Sequence, residues 1–393
     1  MPKKISEFSN DKKPFFDLIR GVASQLVLIG HALNLCFPKY FMRQVHDGIF
    51  EACSGLFFIQ NLGVVIFFCI SGYLVAASVI RRSRLGGYDL SDYMVDRISR
   101  IFTPLLPLLL ILYFIDNFLA HQGLKLRYTR LNSDSVSLVL NAMMLFDHPG
   151  VSALARITGI NVLRASAFGT ADQLWTVVVE WWIYVSFGIC AFSILQRKRP
   201  SIFRLAFLLF AISVPAYLLF VGNGLVIAWC VGMLGAMSNQ RLLSGFKSPL
   251  ISTIVISGTI AIIYAIISKY NFYHPLFAGS LSMLLIALNV FLSDKLDFLK
   301  KTTFFRVITL LSDISYSVYL VHLSALFWFF AWAPNLTENI GVFVFLVGFC
   351  NFLGIVFHLL FERHSPKVRQ KLGWLKKVVE NKLHTVFPGS GGV

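Results

Sequence analysis

Charge is scarce in this chain of 393 residues: only 14% of it is charged, with 19 Asp and Glu against 35 Lys and Arg. A soluble protein carries about 25% charged residues, so this composition excludes a water-facing globular surface. With 56% hydrophobic residues and a mean hydropathy of +0.71, the chain reads as an integral membrane protein. Cysteine is also sparse. The six, at 36, 53, 69, 190, 230 and 350, lie scattered through apolar segments without CxxC or metal-ligand spacing. That leaves them as packing residues, with no metal expected. Cys36 and Cys53, which flank the first outer loop, are the one pair placed to join in an oxidising compartment. No repeat of fixed period is present, which argues for one polytopic helical domain. No small-residue cleavage site follows the basic start MPKKISEFSNDKKP, and the first apolar run carries Asp17 and Arg20. A retained first helix is expected there, not a removed leader.

Apolar runs of spanning length fall near 14–37, 55–80, 101–120, 173–195, 203–221, 224–238, 250–268, 275–292, 306–332 and 340–361. The fold class expected is therefore an all-α integral membrane protein, a bundle of about ten transmembrane helices. The run at 224–238 is short, and its boundary with the fifth span is drawn at Gly222-Asn223-Gly224. The net charge of +16 lies at the ends of these runs, where the positive-inside rule and anionic lipid account for it. Membrane lipid is the expected partner of those charges and nucleic acid is not. Lys3, Lys4, Lys12 and Lys13 precede span one; Arg81, Arg82, Arg84, Arg97 and Arg100 lie between spans two and three. Arg197, Lys198, Arg199 and Arg204 follow span four, and Lys295, Lys300, Lys301 and Arg306 precede span nine. An even span count puts all of these on one side, with both termini cytosolic. The expected organisation is a cytosolic segment 1–13, a transmembrane domain 14–361 and a basic amphipathic cytosolic tail 362–393. The long outer segment 121–172 carries the apolar stretch SVSLVLNAMMLF, expected as a short helix at the outer leaflet. Connections of that length are usually functional.

Ionisable residues within spans are functional candidates, because each costs several kcal/mol in hydrocarbon. Arg20 and His31, in FFDLIRGVASQLVLIGH, are eleven residues apart. On a helix that places them on one face, about 16 Å apart along the axis. Asp17 stands three residues before Arg20 and could simply pair with it. His31 has no local partner, and an imidazole there suits proton transfer near neutral pH. Glu180, in LWTVVVEWWIYV, needs a cationic or hydrogen-bonding partner and is a candidate to orient His31. Trp175, Trp181 and Trp182 around it read as an interfacial belt. Arg97 and Arg100, in RISRIFTP, are either ordinary positive-inside charge or a phosphate clamp. His322 lies mid-span, while Asp313 and Glu362 fall near helix ends. Gly63 and Ser71-Gly72 permit close helix packing.

In order along the chain, FFDLIRGVASQLVLIGH, GVVIFFCISGYL, RISRIFTP, LWTVVVEWWIYV, ISYSVYLVH and LLFERHSP resemble the membrane-bound acyltransferase-3 family over about 15–366. Thr176 follows Trp175 where that family often has Ser, which keeps a hydroxyl. The resemblance implies transfer of an acyl group, usually acetyl, from cytosolic acyl-CoA to a hydroxyl of a carbohydrate, glycolipid or lipid-linked glycan. It implies that Arg20 and His31 are the essential pair, Arg97 and Arg100 contact CoA, and Glu180 and Glu362 are the family's acids. The setting it implies is a bacterial inner membrane. No fused esterase-like domain is expected after the last span, so the acyl group would pass directly to its acceptor. His31 acts either as general base or as a transiently acylated group. The rival from another class is a proton-coupled transporter with Asp17, Arg20, His31, Glu180 and His322 as a relay.

Overall fold

A computed structural model describes residues 14–41, 54–124, 132–160, 165–195, 201–238, 247–267, 271–292, 295–296 and 302–386. The 1–13 segment, the Cys36–Cys53 pairing, and Lys125, Arg127, Arg130, Arg164, Arg197, Lys198, Arg199, Lys300 and Lys301 fall outside the described residues. All regular structure among the described residues is helical. In chain order the main helices are α1 (Pro14–Cys36), α2 (Ile59–Arg84), α3 (Leu90–His121), α4 (Ser135–Ala142), α5 (Pro149–Thr158), α6 (Leu174–Leu195) and α7 (Ile202–Phe220). They continue with α8 (Leu225–Met237), α9 (Lys247–Ile267), α10 (Pro275–Leu292), α11 (Thr303–Asp313), α12 (Ser315–Trp332), α13 (Ile340–Leu360) and α14 (Ser365–Val386). Among the described residues, 9 helices are long and apolar enough to cross a membrane. The chain divides into two units, 1–81 with 215–351 and 82–214 with 352–393.

In the first unit, glycines set the packing, as expected where lipid removes the hydrophobic drive between helices and close backbone approach replaces it. A Cβ on Gly30 would stand 2.4 Å from Gln60 Oε1, and one on Gly63 would stand 2.6 Å from the Ala23 carbonyl oxygen. Thus α1 and α2 run antiparallel. Gly224 packs on Pro275 and Ala278, Gly279 on Ile227, and Gly235 on Ile286, so α8 and α10 run in the same direction. Along α1, Gly21 meets Leu311 and Ser312, while His31 meets His322. That makes α1 parallel to α12.

The 13-residue α8 is apolar but is not among the 9 long helices. At about 20 Å it is shorter than the ~30 Å hydrocarbon core, and it is held between α2 and α10. The turn before it falls where the sequence placed it: Gly222 has φ +74, and Asn223 Oδ1 accepts from Leu225 N at 3.0 Å.

Two boundaries differ from the apolar runs. Helix α3 starts at Leu90, not near 101, because Asp89 and Asp92 form a capping box ahead of the apolar stretch. The run 306–332 is two helices, interrupted at Ile314, and Ser315 Oγ donates to the Ser312 carbonyl across the break at 2.7 Å.

In the second unit, buried polar groups tie the 121–172 segment to α3 and α6. Asp116 of α3, fully buried, accepts from Thr170 N at 2.8 Å. Asn141, at the end of α4, donates to the Ser166 carbonyl and accepts from Phe168 N. Trp182 Nε1 donates to the Met144 carbonyl at 2.8 Å. The stretch SVSLVLNAMMLF is helical over Ser135–Ala142, started by Asp134, which accepts from Val136 N and Ser137 N. Helix α14 is fastened to the start of α3: Lys376 Nζ lies 2.8 Å from Asp92 and 3.0 Å from Asp89, and Arg369 pairs with Asp96.

Candidate functional site

The inward face of α1 carries two polar stations. Near its start, Arg20 Nη1 donates to Ser312 Oγ, and Ser312 Oγ in turn donates to Asp17 Oδ1, each at 3.4 Å. The break between α11 and α12 brings that serine against α1. Asp17 and Arg20 are therefore joined to a second helix as well as placed beside each other. Three turns on, His31 Nδ1 lies 3.0 Å from Nε2 of His322, which is fully buried. The two rings are tilted by 30° with centroids 5.1 Å apart. Between the stations, Gln25 and Asn351 exchange carboxamide hydrogen bonds of 2.8 and 3.0 Å.

These contacts bring together residues 291 to 326 positions apart. His322 was readable as a mid-span histidine, but its partnership with His31 was not. Gln25 and Asn351 were missed. Their signal was a carboxamide within each of two apolar runs.

The second unit holds the other expected residues. Asp96, 7% exposed, accepts from Tyr88 Oη at 2.8 Å and pairs with both Arg82 and Arg369. Its neighbour Arg97 has a different environment. The guanidinium of Arg97 lies over the Tyr184 ring at 5.4 Å and the Tyr93 ring at 5.7 Å, and its Nε is buried without an acceptor among the described residues. Tyrosine faces attract a cation but leave its in-plane N–H groups unused. Arg100, one turn on, is exposed. Tyr184 Oη donates to Glu180 Oε1 at 2.5 Å, so Glu180 fixes one of the rings beneath Arg97. Glu362 Oε2 lies 3.1 Å from His358 Nδ1. The partner of His31 Nδ1 is thus a histidine, and each acid has a partner within its own unit. Among the described residues no group of His, Cys, Asp and Glu is arranged to hold a metal.

The acyltransferase 3 family, described as an acyltransferase domain, matches residues 13–359. A protein of Shigella phage Sf6 named O-acetyl transferase is 26% identical over 199 residues, 50% of this chain and 51% of that protein. The chain therefore spans about half the length of this relative. No solved structure matches the chain.

Proposed function

The chain belongs to the acyltransferase 3 family, and from that premise we propose that it is a transmembrane O-acetyltransferase. It takes acetyl from cytosolic acetyl-CoA and places it on a hydroxyl of a carbohydrate, glycolipid or lipid-linked glycan at the outer side of a bacterial inner membrane. The name of the phage relative supports acetyl and oxygen as donor group and acceptor atom. Basic residues at the ends of the spans support cytosolic termini. The proton-coupled carrier has no comparable support, since the same polar residues lie within a matched acyltransferase domain.

The observation that carries the reading is His31, on the inward face of α1 with Nδ1 engaged by His322. Nε2 is then the atom that can take a proton. As the acceptor oxygen attacks the thioester carbonyl, its proton passes to His31 Nε2. The new C–O ester bond forms, the C–S bond breaks, and the CoA sulfur leaves with the proton that His31 returns. Arg97 and Arg100 bind donor phosphate; the buried Nε of Arg97, which has no acceptor among the described residues, supports this, because an arginine fork presents Nε–H to phosphate oxygen. Glu180 acts through Tyr184 to hold that guanidinium in place. Glu362, at the cytosolic end of α13, acts on the donor side through His358. Arg20, at the cytosolic end of α1, supplies positive charge on the donor's route.

The test is to incubate membranes containing the chain with labelled acetyl-CoA. Alkali-labile label in a glycan or lipid fraction supports the reading. Label that crosses the membrane without covalent transfer contradicts it.

A further inference from the structure

We infer that His322 is a positioning residue that holds His31 as its Nδ1–H tautomer and so presents Nε2 as the reacting nitrogen. Three groups in a row fix where the hydrogens lie. His322 Nδ1 lies 3.0 Å from the Val318 carbonyl oxygen and 2.8 Å from that of Tyr319. Both are acceptors only, so Nδ1 must carry hydrogen. A neutral imidazole has one N–H, which leaves Nε2 of His322 with a lone pair. That lone pair faces His31 Nδ1 at 3.0 Å. His31 must therefore donate from Nδ1 and keep its own lone pair on Nε2.

A helix backbone thus dictates the tautomer of a side chain on another helix. Val318 and Tyr319 are four and three residues before His322 on α12, where helical side chains lean back over the preceding turn. The fully buried His322 ring has little room to turn away from them. When His31 accepts a proton at Nε2, its Nδ1–H bond to His322 becomes charge-assisted and stronger. A carboxylate does this in a catalytic triad. Here a neutral acceptor does it, which spares the membrane interior a buried anion.

This inference rests on the O-acetyltransferase reading for the identity of the reaction, but the tautomer can be measured without any reaction. The experiment uses the full chain in lipid nanodiscs with 15N-labelled histidine, the His31 signals being assigned by their loss in His31→Gln. The expected spectrum has hydrogen on Nδ1 of His31 and a bare Nε2. His322→Gln retains it, because a carboxamide oxygen can accept from Nδ1–H, whereas His322→Leu leaves the His31 ring only the Val27 carbonyl of its own helix and lowers the Nδ1–H share. With labelled acetyl-CoA as donor, His322→Leu lowers kcat about 100-fold and His322→Gln stays within about tenfold of wild type. The KM for acetyl-CoA stays within about twofold in both. Hydrogen on Nε2 of His31 in the wild type overturns the inference, whether or not the leucine variant folds. So does a leucine variant with wild-type kcat. If the tautomers behave as expected but the wild type transfers no acetyl, the positioning assignment stands and the O-acetyltransferase reading fails.

Discussion

Gly72 of α2 lies so close to the backbone of Trp229 in α8 that a Cβ on it would stand 2.0 Å from the Trp229 carbonyl oxygen. Gly232 meets the Cys69 carbonyl oxygen at the same distance from the other side of the crossing. Neither neighbour is a flexible side chain that can swing away, so the backbones themselves must part. Gly72→Leu is expected to destabilise the fold by at least about 3 kcal/mol, at or beyond the usual range for overpacking. Gly373→Leu adds a side chain where nothing lies within 4 Å of a Cβ, and serves as the control. Size-exclusion profiles of the two variants in mild detergent check this: the first is lost to aggregate and the second is unchanged.

Arg97 rests on two tyrosine faces with its Nε unused, while Arg82 is paired with Asp96. Lysine at 97 keeps the charge but loses the planar fork that matches phosphate. Arg97→Lys is expected to raise the KM for acetyl-CoA about tenfold with kcat within about twofold of wild type. Steady-state kinetics over a range of acetyl-CoA concentrations check it, and an unchanged KM would return Arg97 to the role of a topogenic charge.

His148 gives a pH dependence outside the spans. It caps α5 by accepting from Gly150 N through Nδ1 at 3.1 Å, and it stacks on Phe210 with centroids 4.0 Å apart. Burial lowers its pKa from 6.5 to about 4. The unfolded chain therefore binds the proton more readily, and stability is present above about 6.5 and lost as pH falls towards 4. Protonation also turns the capping acceptor into a donor. Asn supplies a capping oxygen that does not titrate. In thermal melts the wild type should lose more Tm than His148→Asn between these pH values, and equal losses would remove His148 as the cause.

Much of this was legible because membrane physics writes itself into composition. The apolar runs located the spans, and the cost of burying charge singled out Arg20 and His31. The glycine turn before α8 was equally plain. The start of α3 was not, since a capping box begins a helix in polar sequence that an apolar run does not reach. The break at Ile314 falls in the polar stretch SDISYS, where Asp313 read as a helix-end residue, but the apolar residues on both sides joined it into one span-length run. The His31–His322 pair was out of reach for a simpler reason: local spacing cannot report a contact across 291 residues.

Acetyl transfer through His31 is the step on which the proposed function turns. It is tested most directly by purifying the full chain and its His31→Gln variant and following label from acetyl-CoA into a membrane glycan fraction. The variant is expected to keep the wild-type size-exclusion profile while its transfer rate falls at least about 100-fold. A correctly folded His31→Gln protein that transfers acetyl within about threefold of the wild-type rate would contradict it.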